Sequence, residues 1–437
     1  MKIAVQGCCH GDLDAIYNLI QDLESKNGYK VDVLLICGDF QAVRNHQDLQ
    51  CMTVPDKYKE MKDFYKYYTG ERVAPILTIV IGGNHEASNY MWELFHGGWL
   101  APNIYYLGHA GCVQVNGVRI AGASGIFKHH DFRLGYYEKL PYDHGSIRSA
   151  YHIREFGVRR LSLLSSPRIF LSHDWPQSIE HYGDIKTLLR HKSFLRQDID
   201  AGKLGSPPLL GLLKTLKPER WFAAHLHTYY EATVEHESSS GSRTGLSVAQ
   251  NPDEIVIDDF DDETSAQPVT SVETKQESEE PADVEHHQHS PQYASTRFLA
   301  LDKCLPRRKY LEVIDLDSDN SSQPPNLCFD PEWLAVTRAF QPWLSTTRSQ
   351  RQFPDEDGAR RMVSEELEWV KNNIPKKLAD NYGVSACQTF RMTAPGPVNT
   401  QLNGRSVQPP YFPNPQTAAF CEMLEIENKI DRPTETI

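Results

Sequence analysis

Short apolar runs alternate with amphipathic segments over residues 1–235, and this pattern predicts an α/β fold. Lys2–Gln6 is a strand candidate, and apolar residues then recur at spacings of three and four, as on one helix face. Four more short apolar runs predict strands: residues 33–37, 76–81, 168–172 and 220–224. The pair Asn116-Gly117 between two β-branched runs predicts a type I′ hairpin.

Composition changes after this first part of the chain. Residues 236–294 are rich in Ser, Thr and acidic residues, which predicts an acidic disordered linker. Residues 295–317 contain two strand-like runs, and we expect them to complete the core of residues 1–235. Residues 318–437 predict a smaller helical and extended C-terminal domain, with one helix ended by Pro375. The Pro-rich tail that follows Thr393 is expected to be extended and to lie on the surface.

Charge and hydropathy restrict the class of protein. The net charge is −13, and residues 251–290 alone hold 13 Asp or Glu against one Lys. A protein that holds nucleic acid by a global positive field is therefore excluded, although a local basic groove is not. No run of about 18 apolar residues occurs, so we expect no membrane contact. Nine scattered cysteines and the absence of a signal peptide favour a soluble protein of a reducing compartment.

Polar clusters follow the predicted strands, and they contain the donor types that divalent cations prefer. Strand-end loops gather at one edge of an α/β sheet, so these donors are expected to lie together. Asp39 is the natural bridge, because each of its two oxygens can face one ion of a two-metal site. The seven candidate donors are Cys8, His10, Asp39, Asn84, His173, His225 and His227.

The order of these motifs resembles the metallophosphoesterase superfamily. That resemblance implies a layered β-sandwich flanked by helices. It also implies that Cys8, His10, Asp39 and His227 hold one metal, and that Asp39, Asn84, His173 and His225 hold the other. The superfamily usually has Asp at the position of Cys8, and the alternative for Cys8 is a small buried apolar residue.

Several longer motifs resemble the RNA lariat debranching enzymes. They are GCCHG at 7–11, GNHEASN at 83–89, GASGIFKHHDFR at 122–133, SIRSAYHIRE at 146–155, SHDWP at 172–176, FLALDKCLPRR at 298–308 and DPEWLAVTR at 330–338. The resemblance implies hydrolysis of the 2′–5′ phosphodiester at the branch point of excised intron lariat RNA. His85 is expected to protonate the departing 2′ oxygen.

Residues 124–156 are interpreted as a lariat-recognition insertion, with cations on phosphates and aromatic rings on unpaired bases. The alternative is an ordinary solvated loop. The candidate RNA contacts are Lys128, His129, Arg133, Tyr137, Arg148, Tyr151 and His152. Arg307-Arg308-Lys309 lies between two predicted strands, and we interpret it as structural rather than as a nuclear signal.

Two other functions stay open at this point. One is a metallophosphoesterase of broader specificity that acts on linear nucleic acid or phosphoprotein, and the other is a non-catalytic RNA-binding scaffold. Thiolate and imidazole donors disfavour Mg²⁺ and suit Mn²⁺, Zn²⁺ or Fe²⁺. The resemblance implies a nuclear location. The acidic segment is expected either to repel RNA or to recruit a partner from the splicing machinery.

Overall fold

The computed structural model describes residues 1–236, 293–317, 323–379, 381–397 and 407–431. The predicted acidic linker therefore lies almost entirely outside the described residues. The strands in the described part are β1 (Lys2–Gln6), β2 (Val33–Ile36), β3 (Leu77–Val80), β4 (Gly98–Ala101), β5 (Ile104–Tyr106), β6 (Ala110–Val115), β7 (Val118–Ala123), β8 (Ile169–Ser172), β9 (Arg220–Ala223), β10 (Tyr230–Glu235), β11 (Ser295–Ala300), β12 (Leu311–Asp315) and β13 (Leu327–Phe329).

The helices surround two sheets. They are α1 (Leu13–Asn27), α2 (Phe64–Tyr68), α3 (Ser88–Glu93), α4 (His129–Phe132), α5 (Ser146–Ser149), α6 (Glu155–Ser162), α7 (Ile185–His191), α8 (Arg196–Asp200), α9 (Pro207–Leu216), α10 (Pro331–Phe340), α11 (Glu356–Lys377) and α12 (Pro415–Leu424). Among the described residues, none of these helices has the length and apolar character that a membrane crossing requires.

The two sheets form a layered sandwich. One has the strand order β12-β1-β2-β3-β5-β4, and the other has the order β10-β11-β9-β8-β7-β6-β13. Strands β1, β2, β3 and β5 run parallel, as do β7, β8, β9 and β11. Parallel neighbours bring their carboxyl ends to one edge, so each sheet presents several strand-end loops on the same side.

The main apolar core lies between the sheets, and β1 shows how alternation creates it. Ile3 and Val5 belong to the core between the sheets, whereas Ala4 packs in a second core beneath α1. Because both faces of the strand are covered, its three central residues are all apolar and buried. The predicted α/β fold class and the strand positions are thus confirmed. The type I′ hairpin is also confirmed, because Asn116 and Gly117 have φ of 49° and 85°.

Two expectations about the C-terminal part were wrong. Pro375 does not end its helix, since α11 continues to Lys377. The Pro-rich stretch is not wholly an extended surface tail, because it ends in α12, whose first turn accommodates Pro415 without losing a hydrogen bond. The Gln416 amide bonds to both backbone groups of Trp99 on β4, at 2.7 and 2.9 Å, and so covers the edge of the first sheet.

Candidate metal centre

The predicted donors meet at the edge where the parallel strands end. Cys8 and His10 follow β1, Asp39 follows β2, and Asn84 follows β3. From the second sheet, His173 follows β8, while His225 and His227 follow β9. The donors therefore converge because five strand-end loops share one edge of the sandwich.

The first group of donors is Cys8, His10, Asp39 and His227. One ligand atom from each of these residues lies within 4.8 Å of every other. The Nε2 atoms of His10 and His227 are 3.2 Å apart. Two donors on a tetrahedral ion with bonds of about 2.0–2.1 Å are separated by about 3.3 Å, so this spacing suits a shared cation.

The second group centres on His173. Its Nε2 atom lies 3.1 Å from Asn84 Oδ1 and 3.3 Å from Asp39 Oδ1. The ring centroids of His173 and His225 are 5.1 Å apart. The Nδ1 atom of His173 donates to the Cys37 carbonyl at 2.8 Å, which leaves the Nε2 lone pair for a cation.

Asp39 lies between the two groups and is fully buried. Its Oδ1 faces His173, whereas its Oδ2 faces His10 Nε2 at 3.9 Å. Burial by itself would raise the pKa of Asp39, but the imidazoles of His173, His85 and His10 hold that pKa well below its ordinary value. A buried carboxylate among nitrogen donors fits two divalent ions that share Asp39.

Backbone strain marks the same residues. His10, Asp39, His225 and His227 all have left-handed φ, at 49°, 45°, 62° and 46°. Non-glycine residues adopt this conformation at a cost of about 1–3 kcal/mol each, and such residues cluster at functional sites. No feature of the sequence indicates this backbone strain.

Glu86 positions the two central loops, a role that sequence reasoning missed. Its buried carboxylate accepts the N–H groups of Phe40, Gln41 and Gly83 at 2.7, 2.9 and 2.9 Å. Burial and the Asp39 carboxylate raise the pKa of Glu86 to about 7. The available signal in the sequence was an acidic residue two positions after the predicted ligand Asn84.

Asp174, the residue after His173, connects two backbone segments. Its carboxylate accepts the N–H of Phe127 at 3.3 Å and that of Trp175 at 2.8 Å. Asp174 therefore fastens the start of the 124–156 insertion to the end of β8. Gly125 N–H donates to Gly82 at 2.8 Å and fastens the same insertion to the end of β3.

His85 lies at the rim of the donor groups. Its backbone N–H donates to Asp39 Oδ1 at 2.8 Å, and its ring centroid is 5.5 Å from that of His10. The residue is half-buried and is therefore partly accessible to solvent. This position is compatible with the predicted proton donor, which stays a prediction.

The seven candidate RNA contacts differ in exposure. His129, Arg133 and Arg148 are exposed, whereas Lys128, Tyr137 and Tyr151 are half-buried. His152 is buried, and its Nδ1 lies 2.6 Å from Asp131 Oδ2, which joins α4 to residues 151–152.

Burial lowers the pKa of His152 to about 4, so this ring is neutral at pH 7. His152 therefore does not act as a cation on a phosphate, and its neutral ring holds the insertion together. Its contact with RNA stays a prediction, as do the other six.

Comparison with known proteins agrees with this geometry. Residues 1–229 match the calcineurin-like phosphoesterase family, and residues 293–429 match the C-terminal domain of lariat debranching enzymes. The fold and the donor arrangement thus define a calcineurin-like metallophosphoesterase, a hydrolase of phosphoester bonds that uses divalent metal ions.

The relatives identify the family more closely. Lariat debranching enzyme A of Xenopus laevis is 44% identical over 426 residues, which are 97% of this chain and 70% of that protein. The lariat debranching enzyme of Homo sapiens is 42% identical over an alignment that spans 98% of this chain and 69% of that protein. That of Arabidopsis thaliana is 41% identical, with coverage of 99% and 88%. The chain belongs to the lariat debranching enzyme family.

Proposed function

We propose that this chain hydrolyses the 2′–5′ phosphodiester at the branch point of excised intron lariat RNA and releases linear RNA. The observation that carries the proposal is the convergence of six donors around buried Asp39, the seventh. The family matches support the substrate, because they cover both the metallophosphoesterase part and the C-terminal part of the chain.

The donor set fits two divalent ions. Cys8, His10, Asp39 and His227 would hold one ion, and Asp39, Asn84, His173 and His225 would hold the other. Thiolate and imidazole donors favour Mn²⁺, Zn²⁺ or Fe²⁺ over Mg²⁺. When bound, such ions activate water at neutral pH and offset the charge that develops on the phosphoryl oxygens.

His85 is the group that we assign to the departing oxygen. Its backbone N–H donates to Asp39, and the residue is half-buried beside the donors. A proton transferred from this imidazole to the 2′ oxygen would stabilise the leaving group. General acid catalysis of this kind contributes about 10²–10⁴-fold.

The 124–156 insertion would position the branched RNA. It is anchored beside the donors through Gly125 and Phe127, and it presents exposed cations and partly exposed aromatic rings. Cations contact phosphates, and aromatic rings stack on unpaired bases of the kind that surround a branch point.

The test compares cleavage of two matched RNAs, one with a 2′–5′ branch and one with only 3′–5′ linkages, in Mn²⁺, Zn²⁺ or Fe²⁺. We expect cleavage of the branch alone. Equal cleavage of both RNAs would indicate a phosphodiesterase of broader specificity. RNA binding without cleavage in any metal would indicate a non-catalytic scaffold.

We also propose that the chain acts in the nucleus, because lariats arise where introns are removed. Imaging of the tagged full chain tests this location, and exclusion from the nucleus would contradict it. Recruitment of a splicing partner by residues 251–290 is a separate proposal, which their charge supports. Loss of co-purified splicing proteins on deletion of these residues would support it, and unchanged recovery would refute it.

A further inference from the structure

The connection between β11 and β12, residues 301–310, crosses from one sheet to the other at the edge that holds the metal donors. At its start, Leu301 N–H donates to Ala223 O at 3.0 Å, just before the turn that carries His225. Farther on, Cys304 N–H donates to Cys8 O at 3.1 Å, and Tyr310 O accepts from Gly7 N–H at 3.0 Å. We name residues 301–310 the basic loop.

The basic loop carries four cationic side chains within ten residues: Lys303, Arg307, Arg308 and Lys309. Its one carboxylate, Asp302, is buried, accepts the Lys303 N–H at 2.8 Å and pairs with Arg308 at 3.1 Å. Arg308 therefore braces the loop, while Arg307 and Lys309 are exposed. The positive side of the loop faces solvent.

Close packing gives the basic loop a defined shape. A Cβ added at Gly7 would lie 2.2 Å from Asp302 O, so only glycine permits the loop to approach the end of β1. Arg307 has a left-handed φ of 67°, a conformation that non-glycine residues adopt at a cost. Lys309 Nζ lies 4.2 Å from the centre of the Tyr229 ring, two residues after His227.

Strand order places the basic loop opposite the 124–156 insertion. In the first sheet, β2 and Asp39 lie between β1, which contacts the basic loop, and β3, which contacts the insertion. In the second sheet, β8 lies between β9 and β7, which adjoin the basic loop and the insertion respectively. The metal donors thus lie between the basic loop on one side and the 124–156 insertion on the other.

We propose that the basic loop binds the phosphates of one RNA strand leaving the branch, through Arg307 and Lys309, while the insertion binds the other side. This inference rests on the proposed function for its substrate class. Exposed cations on a rigid loop beside a phosphodiesterase centre match the backbone of single-stranded RNA, which carries one negative charge per nucleotide.

The test measures binding of a branched RNA to the chelator-treated full chain between 50 and 200 mM salt. The variant is Arg307→Ala with Lys309→Ala. The control is Arg360→Ala with Lys371→Ala, which removes two exposed cations from α11. Thermal unfolding and metal content of the loaded proteins confirm that each variant is folded.

We expect the loop variant to bind on the order of tenfold more weakly at 50 mM salt. The slope of log affinity against log salt should fall by about 1.4, since each single-strand phosphate contact contributes about 0.7. The control should match the wild type. An unchanged slope in the loop variant, or an equal change in the control, would overturn the proposal. Cleavage specificity is measured separately, so failure of the debranching proposal would show as equal cleavage of branched and linear RNA.

Discussion

The imidazoles of His10 and His227 face each other through their Nε2 atoms at 3.2 Å, although 217 residues separate them along the chain. Both residues have left-handed φ, so the fold accepts strain on each side of this contact. Two neutral rings share at most one proton at this distance, whereas a cation satisfies both lone pairs. This is the relationship expected of two metal ligands, and it leads to predictions for the neighbouring groups.

Replacement of Cys8 by Asp tests the thiolate as a ligand. We expect Cys8→Asp to keep its metal content and to shift its preference toward harder ions such as Mg²⁺ and Mn²⁺, because a carboxylate replaces sulfur. Metal analysis after loading with mixed ions measures the change. Cys9→Ala is the matched control, since Cys9 packs in the core beneath α1. Unchanged preference in Cys8→Asp would remove Cys8 from the ligand set.

Replacement of His85 tests the proposed acid. His85→Ala should retain the metal content of the wild type, because the seven donors are untouched. Turnover of branched RNA should fall by about 10²–10⁴-fold, since the 2′ oxygen would depart without a proton donor. Single-turnover kinetics on metal-loaded protein measures the loss. Turnover within a few-fold of wild type would end the assignment.

Replacement of Glu86 tests its structural role. Glu86→Gln exchanges one acceptor oxygen for an N–H₂ group that faces backbone N–H donors, which leaves a buried donor unsatisfied. The free energy of unfolding should decrease by about 1–3 kcal/mol. Urea unfolding of the protein after metal removal with a chelator measures this free energy. The control is Glu235→Gln, at an exposed position of β10. Equal stability of both variants would show that the three bonds contribute little.

His96 predicts a dependence of stability on pH. Burial, together with the charges of Arg160 and His109, lowers the pKa of His96 to about 3. The folded state keeps the ring neutral, whereas the unfolded state takes up a proton below pH 6.5. Stability is therefore fully present above pH 6.5 and is lost as the pH falls toward 3, by about 1.4 kcal/mol per pH unit.

The measurement is urea unfolding at pH 7.5 and pH 5 for the wild type and for His96→Gln. Between pH 7.5 and pH 5, the free energy of unfolding should decrease by about 2 kcal/mol more in the wild type than in the variant. His96 stacks on Phe420 of α12, so the variant also loses a packing contact, but that loss is the same at both pH values. An equal decrease in the free energy of unfolding of both proteins would contradict the assignment of this pH dependence to His96.

The sequence predicts both the fold class and the convergence of the metal donors. The convergence follows because each donor comes after a buried strand, and parallel strands end at one edge of their sheet. Local pattern carries this information, as it does for the hairpin at Asn116-Gly117. The backbone strain at Asp39 and the three bonds of Glu86 depend on contacts between distant segments. No spacing along the chain encodes them.

The basic loop and the Pro-rich part were also beyond what the local sequence pattern predicts. Arg307 and Lys309 lie more than 200 residues from His10 along the chain, and the pairings of β12 with β1 and of β11 with β9 bring their loop to the centre. Pro415 starts a buried helix because Gln416 and Thr417 find partners on β4 and α3. Proline content alone predicts an extended chain and gives no sign of those partners.

The most direct test of the central claim is the location of bound metal. A crystal of the full chain soaked in Mn²⁺ is measured for anomalous scattering. We expect two peaks on opposite sides of Asp39, one beside His10 and His227 and the other beside Asn84 and His173. A single ion that does not contact Asp39, or peaks only elsewhere in the molecule, would contradict the account.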